Sequence, residues 1–398
     1  MDVQSATYMT LSPVVLSDDL IPEVLSFLSV KSLLRLRCVS KSWRALISDP
    51  VFVKLHLKKS STRKTLFSLM KKHPLSESVD THQSDGEVYC VLYPKSRLLH
   101  NPSFKLSVDS YYLSNEKDCE HKIAGSCNGL ICLTGFSFTF TYREYWLRIW
   151  NPATRTLSPK IGYFRDSSNS PHEYYSLPAF DFKFGYDNST DTYKVLATNI
   201  YLTGTVRILT LGDNVWRDIE SFPVVPLKRI YRKSGGVYLG GTLNWLAMDN
   251  DFPYSVLKNH ATVEQFRIVS LDLGTETYNQ YMLPRRFDEM PPDMPTLGVL
   301  GDCLCFSYSP NKINFVIWKM QIFGVDESWV QFLKISYQTQ HPDFHVVPLF
   351  LFEDTLILTS HKRQSILYNW RNNTLEEINV TIVNNRTTDY VESLVSIF

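Results

Sequence analysis

Chemistry in this chain of 398 residues would first be sought among its cysteines, histidines and carboxylates. Cys303 and Cys305 stand two apart, the spacing that sets both thiols on one face of a strand, where they could ligate one metal. No second Cys or His pair lies nearby at zinc spacing, so burial as small apolar side chains is the stronger reading, and the same holds for Cys127 and Cys132. His341 and His345, in "HPDFH", could converge on a ligand, yet the segment reads as a connecting loop. Asp187, Asp191 and Asp272 read as turn formers, because Asp bonds its own backbone in such places. A glycosidase needs two carboxylates facing one pocket, a placement that sequence alone does not supply. The chain has no Gly-x-Ser-x-Gly elbow, phosphate loop, dinucleotide fingerprint or His-Glu-x-x-His motif. No catalytic residue, metal site or cofactor is therefore expected.

Composition narrows the partners. Forty-one Lys plus Arg against forty Asp plus Glu give a net charge of +1, so no overall field favours nucleic acid or an anionic membrane, and a protein partner or small ligand fits better. The longest apolar runs fall well short of the roughly 20 residues of a membrane helix, and no signal-peptide pattern opens the chain. Seven scattered cysteines suit a reducing compartment. The expected location is cytoplasmic or nuclear, with the sequons at Asn188, Asn372, Asn379 and Asn385 unused.

Two textures divide the chain. After a tail over 1–12, residues 13–57 carry helical periodicity: Leu20, Ile21, Val24, Leu25 and Leu28 share one face of a helix begun by Ser17 or Asp19, with Pro22 tolerated in its first turn. A second helix follows Ser32, a third takes Ser40 as cap, and Asp49-Pro50 opens a fourth. These helices hold more apolar surface than so small a unit can bury. Residues 58–87 read as a basic, polar linker, with nuclear import as a second meaning of the charge run.

From 88 to 398 the chain shows strand and turn signals in a repeat. "LRIWNPATRTL", "VRILTLGDNVWRDI", "FRIVSLDLGTETYNQY", "FVIWKMQIFGVDESWVQF" and "SILYNWRNNTLEEI" begin at Leu147, Val206, Phe266, Phe315 and Ser365, roughly 50–60 residues apart. Most follow a second hairpin: "GLICL", "YKVLAT", "GTLNWLA", "DCLCF" or "DTLILT". Two hairpins per period predict the blades of a β-propeller, six in number, with Val88 to Leu106 as the further unit and "ESLVSIF" pairing with the first blade to close the ring. The Trp residues at repeat-equivalent positions read as packing between blades. The inserts around 163–176 and 248–260 break the repeat and map to loops, so Tyr174, Tyr175, Phe252 and Tyr254 are candidate contacts for a bound protein.

"VKSLLRLRCVSKSW", from Val30 to Trp43, resembles the F-box, although Ser17 and Ser29 stand where that family usually has proline. The missing prolines would weaken docking modestly by raising the entropy lost on ordering. "GSCNGLICL", "WNPATRTL", "FKFGYDNSTDTYKVL", "GTLNWLA" and "SLDLGTETY" resemble the plant F-box-associated domain, in a layout also similar to S-locus F-box and F-box/kelch-repeat proteins. The resemblance implies an α+β multidomain chain, a helical F-box plus an all-β propeller-like domain. It implies a non-catalytic substrate-recognition subunit of a Skp1–cullin–F-box ubiquitin ligase, docking a Skp1-type adaptor directly, a cullin indirectly, and a target protein. Leu16, Leu20, Ile21, Leu25, Leu28, Leu33, Leu36, Val39 and Trp43 are carried over as adaptor-facing or supporting. The alternative is a propeller enzyme or lectin-like protein with an incidental helical module.

Overall fold

The computed structural model of the protein describes residues 20–61, 65–71, 88–93, 111–112, 122–139, 141–166, 179–199, 205–227, 235–248, 262–311, 313–336, 346–360, 365–378 and 387–397. Among them four helices come first: α1 (Leu20–Leu25), α2 (Val30–Leu36), α3 (Lys41–Ser48) and α4 (Pro50–Ser60). All regular structure after these is strand apart from short 3₁₀ turns, and the strands form six antiparallel sheets, the blades of a ring.

Each blade is a meander. Blade 3, for example, runs Phe180–Asp187, Thr192–Asn199, Val206–Thr210 and Trp216–Ile219 as adjacent antiparallel neighbours. The hairpins repeated in the sequence are the third and fourth strands of blades 2 to 6, and the shorter motifs fall on the second strands. The first strands touch in ring order: Thr387–Tyr390, Lys122–Cys127, Phe180–Asp187, Val237–Leu239, Thr296–Leu300 and Val346–Phe352. Third strands are shielded on both faces, as in Phe266–Asp272, where Phe266 and all of Ile268, Val269, Ser270 and Leu271 are buried.

Blade 1 departs from the sequence expectation at both ends. Thr65–Lys71, inside the stretch read as a linker, forms one of its strands, paired on one side with Val88–Tyr93 and on the other with Thr387–Tyr390. The closing strand is thus "TTDY", with Thr65 opposite Tyr390, whereas "ESLVSIF" runs past the sheet as irregular chain over its described residues.

Apolar cores lie between neighbouring blades. Trp318, Phe306 and Met320 of blade 5 meet Phe266, Ile268 and Met248 of blade 4, and Phe182, Phe184 and Val195 of blade 3 meet Cys132, Tyr145 and Ile149 of blade 2. Three aromatic residues that open fourth strands also stitch each blade to the one before. Trp216 Nε1 donates to Gly162 O (2.8 Å), Tyr278 Oη to Glu220 O (3.0 Å) and Trp329 Nε1 to Met282 O (3.0 Å).

One six-residue turn recurs four times, starting at Asn151, Asp187, Asp272 and Asn369. In each, the first side chain accepts backbone N–H groups two or three residues on, as when Gly274 N (2.7 Å) and Thr275 N (2.9 Å) donate to Asp272 Oδ1. The fifth residue, Arg155, Asp191, Glu276 or Asn373, takes a positive φ between 55° and 58°. The reading of these acids as turn formers holds for the geometry seen here.

Blades 3 and 4 are further joined by charge. Lys194 Nζ sits 3.1 Å from both Asp187 Oδ2 and Glu276 Oε1, and also donates to Leu273 O, while Arg217 grips Glu276 through two nitrogens at 2.8 and 3.1 Å. Burial pushes the Asp187 carboxyl upward, but hydrogen bonds from Ser189, Thr190 and Lys194 outweigh it and hold the group below its usual range. The Arg217 hydrogen bonds, aided by Lys194, do the same for Glu276. Because the unfolded chain binds protons on these groups more readily than the folded one, their contribution is present above the unfolded carboxylate range and is lost as pH falls through and below it. Thermal midpoints measured from pH 7 down to pH 3 are expected to drop steeply below about pH 4 to 5. Asp187→Asn should flatten that acid limb.

Candidate partner-docking surfaces

The helical module is built by caps and a small core. Ser40 Oγ accepts from Trp43 N at 3.1 Å, and Asp49 Oδ1 accepts from Val51 N and Phe52 N with Pro50 in the first turn of α4, as the sequence suggests. Helix α2 starts earlier than expected: Ser29, not Ser32, is its cap, accepting from Ser32 N at 3.3 Å. A serine in place of the family's proline thus supplies a hydrogen bond that proline could not. His56 is buried and bonds Leu28 O across the module at 3.0 Å.

Leu25, Val30, Leu33, Ile47 and Phe52 form the interior, with Ile21, Leu28, Leu36 and Trp43 half-buried against it. Of the nine residues carried over for the adaptor, then, Leu25 and Leu33 face inward, four support them, and Leu20 and Val39 are exposed, the latter by 68%. Leu16 lies outside the described residues. Val24, Phe27 and Val51 are exposed apolar residues that sequence reasoning left out of the docking set. Their signal was available: Leu20, Val24 and Phe27 are spaced i, i+4 and i+7, one stripe of a helical turn, and Val51 stands just past the cap of α4. Among the described residues this stripe stands about half exposed, and large exposed apolar side chains gathered on a small module are the kind of surface through which proteins associate.

The ring has two distinct faces. In an antiparallel meander the turns between strands 1 and 2 and between strands 3 and 4 emerge on one face, while loops between strands 2 and 3 and the links from blade to blade emerge on the other. The module sits on the tight-turn face: Lys54 Nζ pairs with Asp191 Oδ2 at 2.7 Å, and Ala153, in a turn of blade 2, packs against the module's core. The insert candidates Tyr174, Tyr175, Phe252 and Tyr254 lie outside the described residues, but their flanks do not. Asp166 and Ala179 bound one insert as a link from blade 2 to blade 3, and Met248 and Thr262 bound the other as a 2–3 loop of blade 4, so both leave from the face opposite the module. At the first root, Arg143 is buried beside Asp166 at 3.5 Å, and Tyr145 Oη accepts from Ala179 N at 2.8 Å.

The residues considered for chemistry do not converge. Burial pushes the thiols of Cys127 and Cys305 up to about 12, far from the thiolate needed for nucleophilic or metal chemistry, and Cys305 donates to Cys303 O instead. Among the described residues no group of three or more His, Cys, Asp or Glu could hold a metal ion, and no helix is long and apolar enough to cross a membrane. His341 and His345 lie outside the described residues.

A small helical module with exposed apolar side chains, set on one face of a ring of blades, is the architecture these residues build. Residues 80–284 match the F-box associated β-propeller domain and residues 15–55 match the F-box domain. The chain belongs to the F-box proteins that carry an F-box-associated β-propeller. It is 27% identical over 364 residues to an F-box/kelch-repeat protein of Arabidopsis thaliana, covering 91% of this chain and 89% of that one. It is 24% identical over 350 residues to the F-box protein CPR1 of the same plant, covering 80% and 72%. Among solved structures it is similar to TolB of Acinetobacter baumannii, 9% identical with a TM-score of 0.42 over 86% of this chain and 73% of that one, a likeness too loose to bear on function. Members of the family are in general substrate adaptors and not enzymes.

Proposed function

We propose that the protein is the substrate-recognition subunit of a Skp1–cullin–F-box ubiquitin ligase, docking a Skp1-type adaptor through the helical module and a target protein through the loop face of the ring. The observation that carries this reading is the exposed apolar set Leu20, Val24, Phe27, Val39 and Val51, which stands outside the module's packed interior of Leu25, Val30, Leu33, Ile47, Phe52 and Leu394. Its role is tethering: a target held on the ring meets the ubiquitin-charged enzyme at raised effective concentration, with no chemical step assigned to this chain. Tyr174, Tyr175, Phe252 and Tyr254 are proposed as target contacts because the described flanks of both inserts, Asp166 and Ala179, Met248 and Thr262, lie on the face opposite the module.

Burying an apolar side chain at an interface is worth about 1.5–3 kcal/mol, so Leu20→Asp with Val39→Asp should weaken adaptor capture by at least about 100-fold. Both positions are exposed, and the helical signal in circular dichroism should persist. Undiminished co-purification of a Skp1-type adaptor with the folded double variant would sink the proposal.

A further inference from the structure

The segment after the closing strand, Val391–Ile397, lies between the module and the ring, and its side chains divide between them. Leu394 is buried in the core of the helical module with Leu25, Val30, Leu33, Ile47 and Phe52. Val395 and Ile397 pack instead against the apolar cluster that joins blades 2 and 3. The backbone of the segment is pinned from the ring side. Asn151, fully buried, donates through Nδ2 to Ser393 O (3.1 Å) and Val395 O (2.8 Å), while its Oδ1 caps its own turn by accepting from Ala153 N. Ala153 N also donates to Tyr390 Oη at 3.1 Å, and Ala153 itself touches the module's core.

Gly129 completes the seat. Its φ is +81°, and a Cβ there would stand 2.5 Å from Ser393 Cβ and 2.7 Å from Val391 O, so only glycine lets the segment lie this close to blade 2. Two of the motifs that marked the repeat, "GLICL" and "LRIWNPATRTL", thus contribute the glycine and the asparagine that hold this segment.

We propose that Val391–Ile397 is a strap that completes the core of the helical module and locks the module onto the ring, making Leu394, Asn151 and Gly129 positioning residues for whatever the two faces bind. A module held through Leu394, Ala153 and the Lys54–Asp191 pair keeps its docking stripe at a fixed distance and angle from the opposite face of the ring. In a tethering protein, that geometry sets the effective concentration of the target at the enzyme, a consequence that rests on the function proposed above.

The test uses the full chain with a pair of spin labels, introduced as unnatural amino acids at the exposed positions Arg44 and Arg285, and reads the distance distribution by pulsed electron resonance. The parent chain should give one narrow maximum. Leu394→Ser removes the module-facing side chain and leaves the strap's backbone bonds to Asn151 in place. It should broaden the distribution, or abolish the helical signal of the module, while the sheet signal and melting of the ring stay as they were. A variant ending after Tyr390 should do the same. Narrow distributions and full helical signal in both variants would overturn the proposal. Adaptor capture measured on the same samples reports on the docking stripe separately, so a failure of coupling and a failure of docking give different results.

Discussion

Lys194→Met is expected to cost about 3–5 kcal/mol of stability, because it removes the cation from a site where the Asp187 side chain is only 1% exposed and leaves that carboxylate charged and buried. Ser189 and Thr190 would still donate to Asp187, and Arg217 would still neutralise Glu276, so the loss concentrates on Asp187 and on the junction between blades 3 and 4. Denaturant midpoints check it directly. Adding Asp187→Asn to Lys194→Met removes the stranded charge and should recover part of the loss. A single variant as stable as the parent would mean that water reaches the site and screens it.

Leu33→Ala should act on the other domain, and through folding instead of contact. The side chain is fully buried at the centre of the module, and deleting it costs about 2–5 kcal/mol. A unit of some 40 residues has little stability to lose. The helical signal and adaptor capture should vanish together, with the ring's melting transition unchanged. Leu20→Asp with Val39→Asp should instead lose capture and keep the helices. The two results together separate a core residue from a docking residue, which a charge at Leu25, another interior position, would not do.

The contrast between these residues shows how far the sequence could be read. Blades 2 to 6 were legible because each repeats a pair of apolar strands around a polar turn, and in blades 2, 4 and 6 the first and fifth residues of that turn are fixed by hydrogen bonding and by a positive φ. Blade 1 was not, since it is assembled from two ends of the chain: Thr65–Lys71 and Thr387–Tyr390 share no local pattern that announces their pairing. In the module, short helices with apolar residues on more than one face do not say which face meets the core. Leu25 and Leu28 fall together on the helical pattern with Leu20, yet only Leu25 is buried while Leu20 is exposed. The apolar "ESLVSIF" looked like a strand because apolarity records that a segment is covered, not what covers it; here Leu394 is covered by helices and Val395 by blades.

The order in which the ribosome makes the chain gives the closing strand a further meaning. Thr65–Lys71 is complete early, but its partner Thr387–Tyr390 is synthesised more than about 300 residues later. At about 5–20 residues per second, one edge of the first blade stays unpaired for roughly 15–60 s while the other five blades are added. An open strand edge is a template for pairing with any neighbouring chain, and the helical module is already displayed on every nascent copy through that interval. Messages with a stop codon placed just before Thr387 are therefore expected to yield rings that never close, prone to aggregation and to capture by chaperones even though almost every blade is present.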